Sequence, residues 1–376
     1  MVKKSYLFVC STQYAILNSI NIVLSDKKKY NGKTDIVIFH QTNDIKNLSE
    51  KIKKNKIFEN IYDFPFINKK NAFYLFLLLA FPSVFLSRLC LNKKSLDLLK
   101  NKYKIIIAQS QLYAALFKAI NKNAVAFLLE DGVSSYTSRT SDINRRSFFF
   151  RLANKTFLRR VLIADIKGHL LYKPEMYCGE KGFIAKLPEH KVKNRNIYNR
   201  IFKYIDNDLY NSHQFIYLGA PYYGLKLLMS NPSDADSGIE ERCKILVDDA
   251  MKALKKRSFV YRIHPIEKIE KSYYEEFCIL DNCKNMWEME CQNTITNDHV
   301  LMSFFSTAAF SPKIIYDKEP YVIFLHKITG FNFFNADSLI YRLQSMYSNP
   351  KKVMQPENAK ELSTILKDLE LKNKIR

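Results

Sequence analysis

Glycine is scarce, with 9 in 376 residues. Neither GxGxxG nor GxxxxGKS/T occurs, which excludes the two glycine-rich phosphate loops of dinucleotide-binding and P-loop proteins. Cysteine is sparse and odd in number: Cys10, Cys90, Cys178, Cys243, Cys278, Cys283 and Cys291 are scattered, as expected of reduced thiols in a cytosolic protein. No second CxxC and no nearby pair of histidines accompanies Cys278, Cys283 and Cys291, so no zinc site is expected. Long apolar runs are also missing. The most apolar stretch, residues 72–91, is broken by Pro82, two serines and Arg88, short of the ~20 apolar residues that span a bilayer. It reads as a core helix pair broken at Pro82, or as a helix lying on a membrane with Lys69, Lys70, Lys93 and Lys94 at its flanks. No signal peptide is expected, because the apolar run Tyr6–Cys10 is only strand-length and Ser11, Thr12 and Gln13 follow it.

Acidic residues are the other shortage: 37 against 59 basic ones, for a net charge of +22. Such an excess favours anionic partners, whether nucleic acid, acidic headgroups or anionic small molecules, although Lys-, Asn- and Ile-rich usage also reflects an AT-rich genome. With 47% hydrophobic and 26% charged residues the chain is globular, and its length suits two domains with a core each.

Apolar segments of strand length alternate with stretches of helical spacing throughout, which predicts an α/β fold of two Rossmann-like domains. The expected division is 1–168 for the first domain, an irregular linker over 169–212, 213–350 for the second domain and a closing helix over 351–376. Residues 143–160, with six basic residues, no acidic ones and Phe148, Phe149, Phe150 and Phe157, read as a basic amphipathic helix. Its basic face meets either a membrane surface or solvent between domains. No RNP or helix-turn-helix pattern supports nucleic-acid binding.

Several strands end in groups able to do chemistry, where ligands of open α/β sheets bind. Residues 124–129 run into Glu130, Asp131 and Gly132, two carboxylates and a residue free to turn sharply. A second strand ends in His264–Pro265; the proline restricts His264 to extended geometry, presenting the imidazole at the strand tip. Such a histidine can donate to a departing phosphate. A third, residues 300–310, runs into Ser306 and Thr307 at a helix start, where free N–H groups and hydroxyls bind phosphate. Each has an ordinary alternative: solvated acids in a turn, a structural histidine, a simple N-cap.

The ordered set Glu130-Asp131-Gly132, His264–Pro265 and Ser306–Thr307 resembles glycosyltransferase family 52, the lipooligosaccharide sialyltransferases, and the related bacterial polysialyltransferases. FVCSTQYAILNSI near the start, with Thr12 and Gln13, is similar to their first strand and helix; FIYLGAP, with Gly219, is similar to the strand opening their second domain. The resemblance covers most of the chain, as short motifs. It implies a GT-B architecture, two domains facing a central cleft that holds CMP-sialic acid as donor substrate, with no cofactor. His264 would then protonate or hydrogen-bond the leaving phosphate, and Ser303, Ser306 and Thr307 would hold its oxygens. Glu130 or Asp131 would deprotonate the acceptor hydroxyl, the other orienting it.

One departure concerns the base. Some family members carry a carboxylate directly after the Gly-x-Pro turn, where this chain has Tyr222 and Tyr223; Asp234 and Asp236 lie further along the loop. Asp234-Ala235-Asp236 also matches the DxD that binds manganese in another glycosyltransferase architecture, but it does not closely follow a strand, and no metal is expected. The expected partners are a nucleotide sugar, an anionic glycan acceptor and the inner face of the cytoplasmic membrane, as a peripheral protein, with a homodimer as the default assembly. A UDP-hexose donor, or a non-enzymatic basic binding protein, are the alternatives.

Overall fold

A computed structural model describes residues 5–30, 34–40, 43–65, 98, 102–137, 166–179, 182–206, 208–219, 245, 259–264, 274–281, 285–329 and 335–374. The chain divides into two compact units, Met1–Phe202 and Lys203–Arg376.

In the first unit the strands are β1 (Tyr6–Cys10), β2 (Thr34–His40), β3 (Ile61–Pro65), β4 (Ile105–Ala108), β5 (Val125–Leu129), β6 (Ile166–Leu171) and β7 (Phe183–Lys186). They form one all-parallel sheet in the order β3-β2-β1-β4-β5-β6-β7. The YLFVC of β1 is buried throughout, as a central parallel strand covered on both faces must be. The edge strands β3 and β7 are less buried. Helices α1 (Gln13–Ser25), α2 (Lys27–Tyr30), α3 (Asn43–Asn55), α4 (Gln111–Ile120) and α5 (Arg195–Phe202) accompany the sheet.

The irregular linker expected over 169–212 does not exist as such. Its first part completes the sheet: β6 pairs with β5, and β7 with β6. Gly168 permits the second pairing, since a Cβ there would lie 1.8 Å from the Phe183 carbonyl oxygen. Its last part belongs to the second unit, where Asn285 bonds both backbone groups of Ile205 (3.0 and 2.8 Å). The short, weakly alternating strands around Gly168 lack the apolar run that marks the central ones.

The second unit has β8 (Phe215–Leu218), β9 (Phe259–Arg262), β10 (Ile279–Asp281), β11 (Val300–Ser303), β12 (Tyr321–Phe324) and β13 (Val353–Met354). They too form a parallel sheet, in the order β10-β9-β8-β11-β12-β13. Helices α6 (Trp287–Asn293), α7 (Thr307–Tyr316), α8 (Ala336–Met346) and α9 (Ala359–Lys374) are interleaved. The closing helix is part of this unit, because Leu362, Leu366 and Leu369 enter the core with Phe215, Phe259 and Met302. In both sheets the strand order reverses once, between β1 and β4 and between β8 and β11. Ligands of doubly wound sheets bind beyond the carboxyl ends of the strands at such points.

Candidate active site

At the first switch point, β1 ends into Ser11 and Thr12, β4 into Gln109, and β5 into Glu130 and Asp131. Thr12 is the N-cap of α1, its side chain accepting from the Ala15 N–H (3.1 Å) while its hydroxyl donates to Asp131 Oδ1 (2.9 Å). Gln109 ties the edge together. Its Oε1 accepts from the Ser11 and Thr12 N–H groups (2.6 and 3.2 Å), and its Nε2 donates to Asp131 Oδ2 (2.7 Å). Asp131 is therefore half-buried at the amino end of α1, with both carboxylate oxygens oriented and the helix dipole favouring its charge. Gly132 follows at φ 87°, ψ −171°, a region essentially reserved for glycine. This lets Ser135 turn back and accept from the Asp131 N–H (2.8 Å).

Glu130 is a different carboxyl. It is 1% exposed and receives three donors: the Tyr14 and Tyr136 hydroxyls (2.6 Å each) and the Tyr172 N–H (2.8 Å). Burial nevertheless pushes its pKa up to about 7, against the pull of those hydrogen bonds and with the nearby Asp131 charge adding to the rise. The network continues inward. Asn18 donates to the Glu130 carbonyl (3.0 Å), Tyr172 donates its hydroxyl to Asn18 (2.8 Å), and His190 meets that hydroxyl at 2.7 Å. Sequence reasoning left open which carboxylate is the base; the geometry gives them separate tasks. Glu130 fastens β5, α1 and the segment after β6 together, and Asp131 is the more accessible acid.

At the second switch point, Gly219 follows β8 and is buried, its N–H bonded to the Arg262 carbonyl of β9 (2.9 Å). His264 lies two residues past β9, half-buried, with burial lowering its pKa. Burial thus disfavours its cationic form. Ser303, fully buried, ends β11 and accepts from the Ser306 N–H (3.2 Å). Ser306 is the N-cap of α7, accepting from the Ala308 N–H (3.3 Å), and Thr307 is its exposed first residue. The strand register, Leu218 beside Arg262 and Tyr217 beside Met302, brings the ends of β8, β9 and β11, and with them these five positions, to one carboxyl edge of the sheet.

Trp287 connects the histidine's strand to the serine's helix. Pro312 within α7 has no N–H for the Ala308 carbonyl four residues back, and the Trp287 indole supplies that donor (2.7 Å). Over the face of the indole lies the Arg262 guanidinium, 5.2 Å from the ring centroid. Arg262 is itself buried against Asp281 (2.5 Å), Tyr210 (3.0 Å) and the Asn285 carbonyl (2.5 Å), and Tyr210 also donates to Asp281.

Gln13 opens α1 half-buried, but Gln109 is the glutamine that reaches Asp131. Gln109, Tyr136, Tyr172 and Trp287 were not signalled by any motif, and Tyr14, inside FVCSTQYAILNSI, was not singled out; all but Tyr136 matter through partners 21 or more residues away. Pro265, Asp234, Asp236, Tyr222 and Tyr223 lie outside the described residues, as do the segments 72–91 and 143–160. Among the described residues no helix is long and apolar enough to cross a membrane, and no three His, Cys, Asp or Glu side chains gather as metal ligands.

No family model and no curated protein sequence matches the chain. Solved structures do resemble it. UGT2 of Phytolacca americana in its apo form matches with a TM-score of 0.52 at 8% identity, over 97% of this chain and 90% of that one. A UGT transferase of Siraitia grosvenorii in complex with UDP gives 0.51 at 9% identity, over 99% and 93%. The kitacinnamycin glycotransferase gives 0.51 at 6%, over 98% and 91%. The protein has the GT-B fold. At these identities the likeness concerns the fold, two parallel-sheet α/β domains, and the expected fold class agrees with it.

Proposed function

We propose that the protein is an inverting, metal-independent glycosyltransferase that moves sialic acid from CMP-sialic acid to a terminal galactoside or sialoside of lipooligosaccharide or capsule. The observation that carries this reading is the pair of unlike switch-point edges: an oriented carboxylate on the first sheet, and an imidazole, hydroxyls and a helix start on the second. Inverting transfer needs both, a base for the acceptor hydroxyl and stabilisation of the departing phosphate on the opposite face of an oxocarbenium-like sugar.

In this mechanism Asp131 takes the acceptor proton as the acceptor oxygen bonds to the anomeric carbon. The bond from that carbon to the CMP phosphate oxygen breaks, and the electron pair leaves with the phosphate. A phosphate leaving group is already stable as an anion at pH 7. His264 therefore serves it as a hydrogen-bond donor rather than as an acid, with the Ser306 and Thr307 hydroxyls at the start of α7 holding its oxygens. The acceptor is anionic and membrane-borne in this reading, which suits the charge of +22 and a peripheral location on the inner membrane face.

A UDP-hexose donor is the second reading, favoured by the fold shared with a UDP-bound transferase. Nucleotide release measured with CMP-sialic acid and with UDP-hexoses, across galactoside and sialoside acceptors, separates the two. The expected result is CMP release that falls by roughly 10²–10⁴-fold in His264→Ala. UDP release alone would move the assignment to the second reading, and no release from any donor would remove both.

A further inference from the structure

The opposite end of the first sheet carries an unassigned cavity. It holds about 1230 Å³ between the amino ends of β2 and β3 and the carboxyl ends of α1, α3 and α5. At ~3.3 Å per strand residue it lies roughly 15–20 Å, one strand length, from the switch-point edge of the sheet. Four cations line it, Lys27, Lys53, Lys56 and Arg200, against two carboxylates, Glu59 and Asp63. Asp63 is already engaged by His40 (2.8 Å) and Lys53 (2.9 Å). Among the described residues, no acceptor engages the side chains of Lys27, Lys56 or Arg200. Lys56 also stands in the left-handed region at φ 49°, where a glycine or asparagine would end α3 without strain.

Four cations against two carboxylates leave a surplus of two positive charges, in a hollow with Leu24, Phe58 and Ile197 in its wall. Lys53 also pairs with Glu50 (2.8 Å), so the surplus rests on Lys27, Lys56 and Arg200, all exposed at the rim of the hollow; an anion placed among them would relieve their mutual repulsion. A phosphate monoester carries about −1.5 to −2 at neutral pH, and guanidinium and ammonium groups lining one hollow suit its oxygens. We propose that this cavity is a second ligand site, specific for a phosphate-bearing anion and separate from the carboxyl edges. The proposal does not depend on the donor or acceptor assigned above.

Inorganic pyrophosphate titrated calorimetrically into the full chain, and flotation with vesicles containing phosphatidylglycerol, test it. The double variant Lys56→Gln/Arg200→Gln is expected to weaken pyrophosphate binding by roughly tenfold or more. Lys360→Gln/Lys367→Gln, which removes the same charge from exposed positions of α9, leaves it within about twofold. Vesicle capture that the Lys56/Arg200 variant also loses identifies the phosphate as a lipid headgroup. Pyrophosphate binding without capture identifies a free phosphate compound. Equal weakening by both double variants, which would mean diffuse attraction to a highly basic chain, overturns the proposal, as does no binding of either probe at low salt.

Discussion

At the switch point of the first sheet, β1 and β4 deliver Thr12 and Gln109 to Asp131, beside a buried Glu130. At that of the second, Gly219 follows β8, Ser303 ends β11 just before α7, and His264 lies two residues past β9. The topology is the same and the electrostatics are opposite. One edge spends its donors on carboxylates; the other gathers an imidazole, hydroxyls and a helix start. Their supports differ as well. Behind the first lies a buried carboxyl surrounded by tyrosine hydroxyls, and behind the second a buried ion pair, Arg262 with Asp281.

The ion pair is where the comparison breaks with the largest effect. Arg262→Met leaves Asp281 buried without its cation, which costs about 3–5 kcal/mol. Denaturant unfolding should show that loss, together with a rise in KM for the nucleotide sugar, since Arg262 also seats Trp287. An unchanged midpoint would mean the pair is dispensable.

Glu130 sets the next test. Its folded-state pKa of about 7 lies above the ordinary 4.5, so the folded state holds the proton more tightly. The resulting stability is fully present below about pH 4.5 and is lost as pH rises to about 7, on the order of 3 kcal/mol. His190, lowered to about 3 by burial, acts in the opposite direction, gaining stability as pH rises, so the effect is read as a difference. The stability gap between wild type and Glu130→Gln should narrow from pH 5 to pH 8. A constant gap would place the titration elsewhere.

The smallest effect is at Trp287. Trp287→Phe keeps a ring under Arg262 but withdraws the donor from the Ala308 carbonyl, a loss of about 1 kcal/mol. Donor KM should rise with kcat little changed, because the start of α7, the proposed phosphate contact, loosens. Full retention of KM would show that Pro312 needs no such substitute.

Central strands were legible because their residues are apolar on both faces: YLFVC, FIYL and VLMS declare buried parallel strands without help from neighbours. The edge strand β7 and its neighbour β6 were not, since Gly168 and the half-exposed Phe183 take their meaning from each other. In the candidate site, Glu130, Asp131, His264 and Ser306 stood out because polar residues terminate apolar runs. The partners that divide labour between the two carboxylates were hidden. Tyr172 and Gln109 reach them from 42 and 22 residues away, and Asn18 and Asn21 sit on a helix face that looks solvent-exposed but is buried.

That division of labour is tested most directly by comparing Asp131→Asn with Glu130→Gln in saturated nucleotide-release assays, both checked for native circular dichroism. The expected outcome is a kcat loss on the order of 10²–10⁴-fold for Asp131→Asn, with Glu130→Gln retaining activity within about tenfold. The reverse order, Glu130→Gln inactive and Asp131→Asn active, would contradict it and make the buried glutamate the base.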